Sequence, residues 1–393
     1  MDTYSLAVSS FLTDEEIQFR DNVRRFMRDV VAPLVPQMEA EGQPPAGLLE
    51  RMGDEGILGT FLPEEYGGAG ASLMTRAIVA EETARMSAGF DATLFVNISL
   101  VARHLAKYGT HEQKEKYLRP LAMGRASASI CLSEPHGGSD ALSPRTVAHK
   151  DGDHWVIKGH KTFITNAPIA EFFLVFTRTS GEDRRVKGGT CFIVEKDAPG
   201  LTVGQPFDKL SLRSSPTAEV YFDDVRVHES QILGNAEEGF NILLDGLDLE
   251  RVFEGASNTG IAQACLDVAV PYALDRKVFG EAISSYQMIQ DKIARMATGV
   301  EISRTMFYHL VRACERGVNV NREAAMLKLY SSEVAVEASR EAVQILGGYG
   351  LMEEYPAARL YRDAKHHEIG AGTSEIQKLI ISKETLRQYR QVA

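Results

Sequence analysis

The chain has 393 residues, of which 44% are hydrophobic and 25% charged, as expected for a globular protein with a sizeable core. Its formal net charge of -11 argues against general nucleic-acid binding. No apolar run predicts a membrane span, and residues 1–10 resemble neither a secretory signal nor a transit peptide, so we expect a cytoplasmic protein.

The first third of the chain is predicted to be helical. Thr13 and Glu16 form a capping-box pattern at the start of a helix, and Pro33 is predicted to end it. A glycine-rich loop is predicted at residues 63–70. The other predicted helical stretches cover residues 48–56, 74–86 and 91–108.

The middle of the chain contains short β-branched and aromatic runs, separated by Gly, Asp and Pro clusters. These predicted strands include residues 155–157, 172–176, 190–194 and 220–222. No helical pattern lies between them, which excludes a doubly wound parallel sheet.

The last third is helical again, and Gly347 and Gly348 are predicted to end one of its long helices. We therefore predict an α+β chain with a helical domain at residues 1–126, a β domain at 127–233 and a second helical domain at 234–393. The four cysteines are far apart without metal-ligand spacing, so we expect reduced, buried thiols and no metal.

Five segments together resemble those of the acyl-CoA dehydrogenase family over essentially the whole chain. Each is weak alone, but their common order and spacing are a strong signal. They are ICLSEPHGGSD at 130–140, FITN at 163–166, RKVFG at 276–280 with Gln287, QILGG at 344–348 and GAGTSEI at 370–376. The resemblance implies an N-terminal helical domain, a middle β-barrel-like domain and a C-terminal four-helix bundle.

The resemblance also implies an FAD site. Ser133, Ser139 and Thr165 are small hydroxyl donors suited to close approach to a flavin, although strand-end hydroxyls are common. Phe163 would lie on the flavin ring, where the family more often has Trp. No GxGxxG follows a strand, so a Rossmann site is not predicted. The implied flavin contacts are Ile130, Leu132, Ser133, Gly138, Ser139, Phe163 and Thr165.

A second implied group of residues would reach the FAD of a neighbouring subunit. The guanidinium of Arg276 suits a bidentate pyrophosphate contact, although most arginines are solvated helix cations. The group therefore implies a homo-oligomer, with a tetramer expected, and the family implies an electron-transfer flavoprotein as acceptor. The residues are Arg276, Phe279, Gln287, Gln344, Gly347, Gly348, Thr373 and Glu375.

The expected chemistry needs a carboxylate base and hydrogen-bond donors to a thioester oxygen. Many family members carry a Glu where this chain has Ala371, whose N–H can still donate. A smaller branch, including isovaleryl-CoA enzymes, carries its Glu on a helix, and Glu250 matches that position. The implied substrate contacts are Ser139, Asp248, Arg251, Ala371 and Gly372.

Two questions about this helix stay open. Glu250 is our first candidate for the base, but it could be a surface carboxylate paired with Arg251 or Arg276. Glu254 lies one turn further along and could raise the pKa of Glu250 or point to solvent, the commoner outcome.

Asp91 is the second candidate for the base, within an apolar helical run expected to cover the acyl tail. It matches by position an Arg that holds the distal carboxylate in glutaryl-CoA enzymes, so it argues against a dicarboxylic acyl group. It also resembles an aspartate base of alicyclic acyl-CoA dehydrogenases. The alternative is a residue favoured by the helix dipole.

Three functions follow as expectations. The first is α,β-desaturation of a short branched or alicyclic acyl-CoA by Glu250. The second is 1,4-dehydrogenation of a cyclohex-1-ene-1-carboxyl-CoA-type ring by Asp91. The third is a flavin-binding family member with little dehydrogenase activity. A carrier-protein thioester in place of CoA is also possible.

Overall fold

The computed structural model of the protein describes residues 5–180 and 188–392, and the predicted order of a helical, a β and a second helical region is confirmed. The first region contains nine helices within the described residues. They are α1 Leu6–Phe11, α2 Asp14–Phe26, α3 Val35–Glu41, α4 Leu48–Asp54, α5 Leu73–Met86, α6 Ala88–Leu94, α7 Arg103–Tyr108, α8 His111–Gln113 and α9 Arg119–Ala122.

Helix α2 begins as predicted but does not end as predicted. The Thr13 hydroxyl accepts from the Glu16 N–H while the Glu16 carboxylate accepts from the Thr13 N–H, which confirms the capping box. The prediction that Pro33 ends the helix is wrong. The chain turns through a π-helical segment, Met27–Val31, and a 3-10 turn, Ala32–Leu34, and then continues into α3. A proline near the start of a helical segment needs no N–H partner, so it is tolerated there.

The middle region is an open, seven-stranded sheet. Its strand order is β1-β4-β2-β3-β7-β6, and β5 pairs with β4. The long strands β3 and β7 run antiparallel and pair from His154↔His228 to Thr165↔Thr217, which makes this sheet a half-barrel. Its strands are β1 Ala128–Cys131, β2 Val147–Asp151, β3 His154–Thr165, β4 Phe172–Arg178, β5 Gly189–Glu195, β6 Leu201–Val203 and β7 Thr217–His228.

The last region consists of six helices and a small hairpin within the described residues. Its long helices α11, α12 and α13 pack against one another, and α15 packs on α13. The elements are α10 Gly239–Leu244, α11 Leu247–Asp275, β8 Lys277–Val278, β9 Glu281–Ala282, α12 Gln287–Glu315, α13 Asn321–Leu346, α14 Pro356–His366 and α15 Ser374–Val392. None of the described helices is long and apolar enough to cross a membrane.

Helix α11 is central to the chain, because it packs against α5 of the first region as well as α12 and α13. Small residues allow this close approach. A Cβ added at Gly260 would lie 2.2 Å from the Glu81 carbonyl oxygen, and one at Gly255 would lie 2.5 Å from Leu327. The backbones of α5 and α11 are therefore held in contact where they cross, and α13 packs closely against α11 as well.

Buried charges also join α5 to α12. The Arg304 Nε donates to Glu81 Oε1 over 2.7 Å, and the Tyr308 hydroxyl donates to Glu81 Oε2 over 3.0 Å. Burial by itself would raise the pKa of Glu81, but the charges of Arg304 and Arg20 outweigh it and hold the pKa at about 2. Glu81 thus stays ionised inside the protein, because its partners replace the water that it loses.

We expect Glu81→Gln to lower the free energy of unfolding by about 3–5 kcal/mol, because it leaves the Arg304 charge buried without its carboxylate. The folded pKa is depressed, so this contribution is complete above the ordinary value of 4.5 and is lost as pH falls toward about 2. Urea unfolding at several pH values measures both effects.

The matched control is Glu115→Gln, since Glu115 pairs with Arg119 on a half-exposed helical surface. That change should cost far less stability, because water already screens an exposed ion pair. Equal losses in the two variants would contradict the assignment of Glu81 as a buried structural ion.

Candidate active site

The segment after β1 presents free hydroxyls on one side of the sheet. Ile130 belongs to β1, and Leu132 and Ser133 follow it directly. The Ser133 carbonyl accepts from the Thr162 N–H over 2.9 Å, which ties the segment to β3. The hydroxyls of Ser133 and Ser139 make no hydrogen bond to another residue in the described part of the chain.

Glu134, in the segment after β1, is held by three hydrogen bonds. Its carboxylate accepts from the N–H groups of Arg145 and Thr146 over 2.7 and 3.0 Å, and from Lys161 Nζ over 2.8 Å. Burial would raise the pKa of Glu134, but the charge and hydrogen bond of Lys161 outweigh it and lower the pKa. An ionised Glu134 therefore orders the turn that carries Ser133, Gly138 and Ser139.

The end of β3 adds an aromatic ring and a third hydroxyl. Phe163 has a φ of +57° and a side chain 69% exposed, unusual for a large apolar residue. Thr165 is paired with Thr217, yet its hydroxyl has no partner among the described residues. An exposed ring beside hydroxyls without partners fits a flat, polar-edged ligand such as a flavin.

Glu250 lies in the first turn of α11, with a side chain only 13% exposed. Arg103 Nη2 donates to Glu250 Oε1 over 3.2 Å, so the alternative of a surface carboxylate paired with Arg251 or Arg276 does not describe this residue. Burial raises the pKa of Glu250 to about 7, against the opposing charge and hydrogen bond of Arg103. A carboxylate with this pKa is suited to general base catalysis near neutral pH.

The two predicted neighbours of Glu250 are paired with each other. Arg251 Nη1 donates to Asp248 Oδ1 over 2.8 Å and to Asn321 Oδ1 over 3.2 Å. Burial raises the pKa of Asp248. These contacts hold the beginning of α11 against α13.

Asp91 lies in α6 and is 3% exposed, between α5 and α11. The Ser257 hydroxyl donates to Asp91 Oδ2 over 2.5 Å, and Arg76 Nη2 lies 3.7 Å from Asp91 Oδ1. Burial raises the pKa of Asp91 to about 6, which the Arg76 charge opposes and the Glu254 charge assists. Asp91 Oδ1 makes no hydrogen bond to another described residue.

Glu254 does not point to solvent, contrary to the commoner outcome for such a residue. It is 6% exposed, and its Oε1 lies 2.7 Å from His367 Nδ1. Burial would raise the pKa of Glu254, but the charge and hydrogen bond of His367 outweigh it and hold the pKa at about 2. Glu250, Glu254 and Ser257 fall at helical spacing along α11, so one face of that helix carries all three groups.

The loop between α14 and α15 carries Ala371 and Gly372. Ala371 has a φ of +51°, an unfavourable value for a residue with a side chain, and Gly372 has a φ of +87°. Ala371 is exposed, and its N–H makes no hydrogen bond to another described residue. This N–H is therefore available to a carbonyl oxygen of a ligand.

Four of the eight residues predicted to contact a partner subunit's FAD line a groove of about 650 Å³ in the last region. Arg276, Phe279, Gly347 and Gly348 line it, together with the rings of Tyr272, Tyr286 and Tyr349. Phe279 is 94% exposed, and an exposed aromatic beside an apolar groove indicates a binding surface.

The other members of this group lie outside the groove lining. Gln287 and Gln344 are exposed on α12 and α13. Thr373 Oγ1 accepts from the Ile376 N–H at the start of α15, and Glu375 lies in the first turn of that helix.

Sequence reasoning missed five residues of the site. Two of them had a weak signal in the sequence. Arg76 is a charge inside an apolar helical run, and His367 belongs to a His-His pair just before the GAGTSEI segment. The other three gave no signal, because their partners are remote in sequence. The five are Arg76, Arg103, Ser257, Lys328 and His367.

Comparisons with known proteins match all three regions to family models. Residues 13–125 match the acyl-CoA dehydrogenase N-terminal domain, residues 129–225 its middle domain and residues 237–386 its C-terminal domain. An acyl-CoA dehydrogenase of Bacillus subtilis is 42% identical over 95% of this chain and 99% of its own length.

A mitochondrial isovaleryl-CoA dehydrogenase of Oryza sativa is 38% identical, over 98% of this chain and 94% of its own length. The solved butyryl-CoA dehydrogenase of Megasphaera elsdenii superposes with a TM-score of 0.91 at 36% identity, covering 95% of this chain and 99% of the other.

We expect Glu134→Gln to weaken FAD binding about tenfold to a hundredfold, since the variant loses a charged acceptor that orders the Ser133–Ser139 turn. Fluorescence titration of flavin-stripped protein measures this. Glu219→Gln, which affects a sheet-surface carboxylate bonded to His160 and Tyr221, is the matched control and should bind FAD normally. Unchanged FAD affinity in a folded Glu134→Gln protein would refute the ordering role.

Proposed function

The chain belongs to the acyl-CoA dehydrogenase family of FAD-dependent oxidoreductases, and within it we propose that the substrate is a short branched or alicyclic acyl-CoA and the base is Glu250. The observation that carries this proposal is the placement of Glu250. It is a nearly buried carboxylate in the first turn of α11, while Ala371 stands where many family members have their Glu.

Two groups of the chain would act on the thioester, one at its carbonyl oxygen and the other at its α-carbon. The Ala371 N–H donates to the thioester oxygen, which acidifies the α-proton by stabilising the enolate. Glu250 removes that proton and holds it. Phe163 and the hydroxyls of Ser133, Ser139 and Thr165 would hold FAD, which would supply an acceptor for the hydride of the β-carbon.

Two observations support the proposed acyl group, namely the buried carboxyl groups near Asp91 and the similarity to an isovaleryl-CoA dehydrogenase. Asp91 and Glu254 are buried carboxyl groups whose charges act on each other, so a further carboxylate on the substrate near Asp91 would be unfavourable. The similarity to the isovaleryl-CoA dehydrogenase of Oryza sativa and the GAG sequence at 370–372 support a branched acyl group. Asp248, Arg251, Ser139 and Gly372 would contact the CoA thioester.

A second candidate function is 1,4-dehydrogenation of a cyclohex-1-ene-1-carboxyl-CoA-type ring to a cyclic diene, with Asp91 as the base. The observation that favours it is the buried Oδ1 of Asp91, which makes no hydrogen bond to a described residue and lies 3.7 Å from Arg76 Nη2, together with a pKa raised to about 6 by burial. Asp91 is bonded to Ser257, which lies seven positions after Glu250 on α11, or about 10 Å along the helix. The two carboxylates would therefore address different carbons of a substrate.

The groove around Arg276 supports a homo-oligomer, with a tetramer expected. Arg276 would bind the pyrophosphate of a partner subunit's FAD, with Phe279, Gly347 and Gly348 around it. The family resemblance assigns Gln287, Gln344, Thr373 and Glu375 to the same contact. The exposed Phe279, Leu274, Met288 and Leu351 near this groove would be covered in such an assembly. We expect an electron-transfer flavoprotein to accept the electrons.

We expect Glu250→Gln to slow flavin reduction by a saturated branched acyl-CoA about a hundredfold to ten-thousandfold, because an amide cannot take the proton. Asp91→Asn, at a second buried carboxylate, should slow this reaction less than about tenfold. Anaerobic rapid mixing of each variant with the acyl-CoA measures the rate.

The same variants decide between the two candidate functions. If Asp91 is the base, a cyclohexene-type acyl-CoA bleaches the flavin, and Asp91→Asn abolishes that bleaching while Glu250→Gln does not. Near-normal reduction in both single variants and in the double variant would refute both assignments.

The pKa of Glu250 sets the expected pH dependence. The base must be ionised, so flavin reduction should fall about tenfold per pH unit below about pH 7 and level off above it. Arg103→Gln removes the charge that lowers this pKa, so the acid limb should move to higher pH. Lys107→Gln removes an exposed cation paired with Asp245 and should leave the pH at which flavin reduction falls unchanged. A limb that does not move in Arg103→Gln would contradict Glu250 as the titrating base.

A further inference from the structure

The loop at residues 367–373 holds the Ala371 N–H in a strained conformation. The N–H groups of Ile369 and Gly370 donate to the His366 carbonyl and that of Ser374 donates to the Glu368 carbonyl, but Ala371 and Gly372 make no backbone–backbone hydrogen bond within the described residues. Both Ala371 and Gly372 have positive φ values of +51° and +87°. For Ala371 this conformation costs free energy, so it persists only if surrounding contacts impose it. The loop lies between α14 and α15, and each of its ends is held by a side chain from elsewhere in the chain.

Lys328 of α13 bridges the two ends. Its Nζ donates to the His367 carbonyl over 2.7 Å and to the Gly372 carbonyl over 2.8 Å, and the side chain is fully buried. One ammonium thus fixes the separation of two carbonyls five residues apart. Gln377 adds a third contact, because its Nε2 donates to the Gly372 carbonyl over 2.9 Å.

The pair of Glu254 and His367 attaches the same loop to α11. His367 Nδ1 lies 2.7 Å from Glu254 Oε1, and the two side chains are 6% and 8% exposed. Removing one member of a buried ion pair leaves the other charge uncompensated, so the pair has few alternative arrangements. Since Glu254 is one helical turn from Glu250, the pair links the helix that carries the proposed base to the loop that carries the free N–H.

We propose that Glu254, His367 and Lys328 are positioning residues that aim the Ala371 N–H at the thioester oxygen, at a fixed distance from the base on α11. The inference rests on the proposed role of the Ala371 N–H. An oxyanion donor acts only when its N–H is directed before the charge develops, and a small misplacement lowers the rate while binding changes little. The fold therefore uses buried charges to place a backbone donor that the strained Ala371 could not hold alone.

The test uses the FAD-loaded enzyme with Glu254→Gln, His367→Phe and the double variant Glu254→Gln/His367→Gln, whose amides can restore a neutral hydrogen bond. We expect kcat for a branched acyl-CoA to fall about tenfold to a hundredfold in each single variant, with KM changed less than about threefold. The double variant should recover most of that loss. Glu81→Gln is the matched control, since it breaks a buried ion pair remote from the loop and should lose stability without losing kcat.

A second readout does not depend on turnover. Infrared spectra of a bound enoyl-CoA product report how strongly its thioester carbonyl is polarised. The carbonyl frequency should be lowered in the wild type and in Glu81→Gln, and should return toward the solution value in Glu254→Gln and His367→Phe. If His367→Phe fails to fold, Glu254→Gln alone gives the same comparison.

An unchanged carbonyl frequency and kcat in a folded single variant would overturn the proposal. So would a loss of kcat in Glu81→Gln of the same size, because general destabilisation would then explain the effect. Failure of the proposed function is distinguishable, since in that case a saturated branched acyl-CoA would not reduce the flavin of the wild-type enzyme.

Discussion

A carboxylate taken out of water costs several kcal/mol unless charges or hydrogen-bond donors replace its hydration, and this constraint governs the arrangement around α11. For Glu254 the lost hydration is replaced by the contact with His367, which lowers the pKa of Glu254 to about 2 against the effect of burial. For Glu250 the contact with Arg103 replaces only part of the lost hydration, so the effect of burial is larger and the pKa of Glu250 rises to about 7. Two glutamates one turn apart on the same helix are thereby given opposite properties, one permanently ionised and structural, the other able to exchange a proton.

The same constraint explains how the three regions of the chain act together. The β region supplies free hydroxyls and an exposed ring, held in place by the buried Glu134–Lys161 pair. The first helical region supplies Arg103, Arg76 and Asp91, which approach α11 because small residues allow α5 to pack closely on it. The last region supplies the base and the loop of Ala371. The two candidate bases, Glu250 and Asp91, are each held by a contact that crosses from one helical region to the other.

The sequence predicted well what depends on local pattern. Thr13 and Glu16 cap a helix because their spacing alone makes a capping box, and the β-branched runs form strands because their alternation suits a sheet. Pro33 was misjudged because a π-helical segment lets the chain continue past it. The partner of Glu250 and the inward turn of Glu254 could not be predicted, since Arg103 and His367 are more than a hundred residues away and only tertiary packing brings them close.

The central claim is that the reaction removes the proton next to the thioester carbonyl, the proton assigned above to Glu250. A kinetic isotope effect tests it directly, by comparing anaerobic flavin reduction by a saturated branched acyl-CoA with and without deuterium at the α-carbon. The account predicts that α-deuteration slows reduction in the wild-type enzyme, at pH values above and below 7. It would be contradicted if the saturated substrate did not bleach the flavin while a cyclohexene-type acyl-CoA did, with an isotope effect on a ring carbon remote from the thioester.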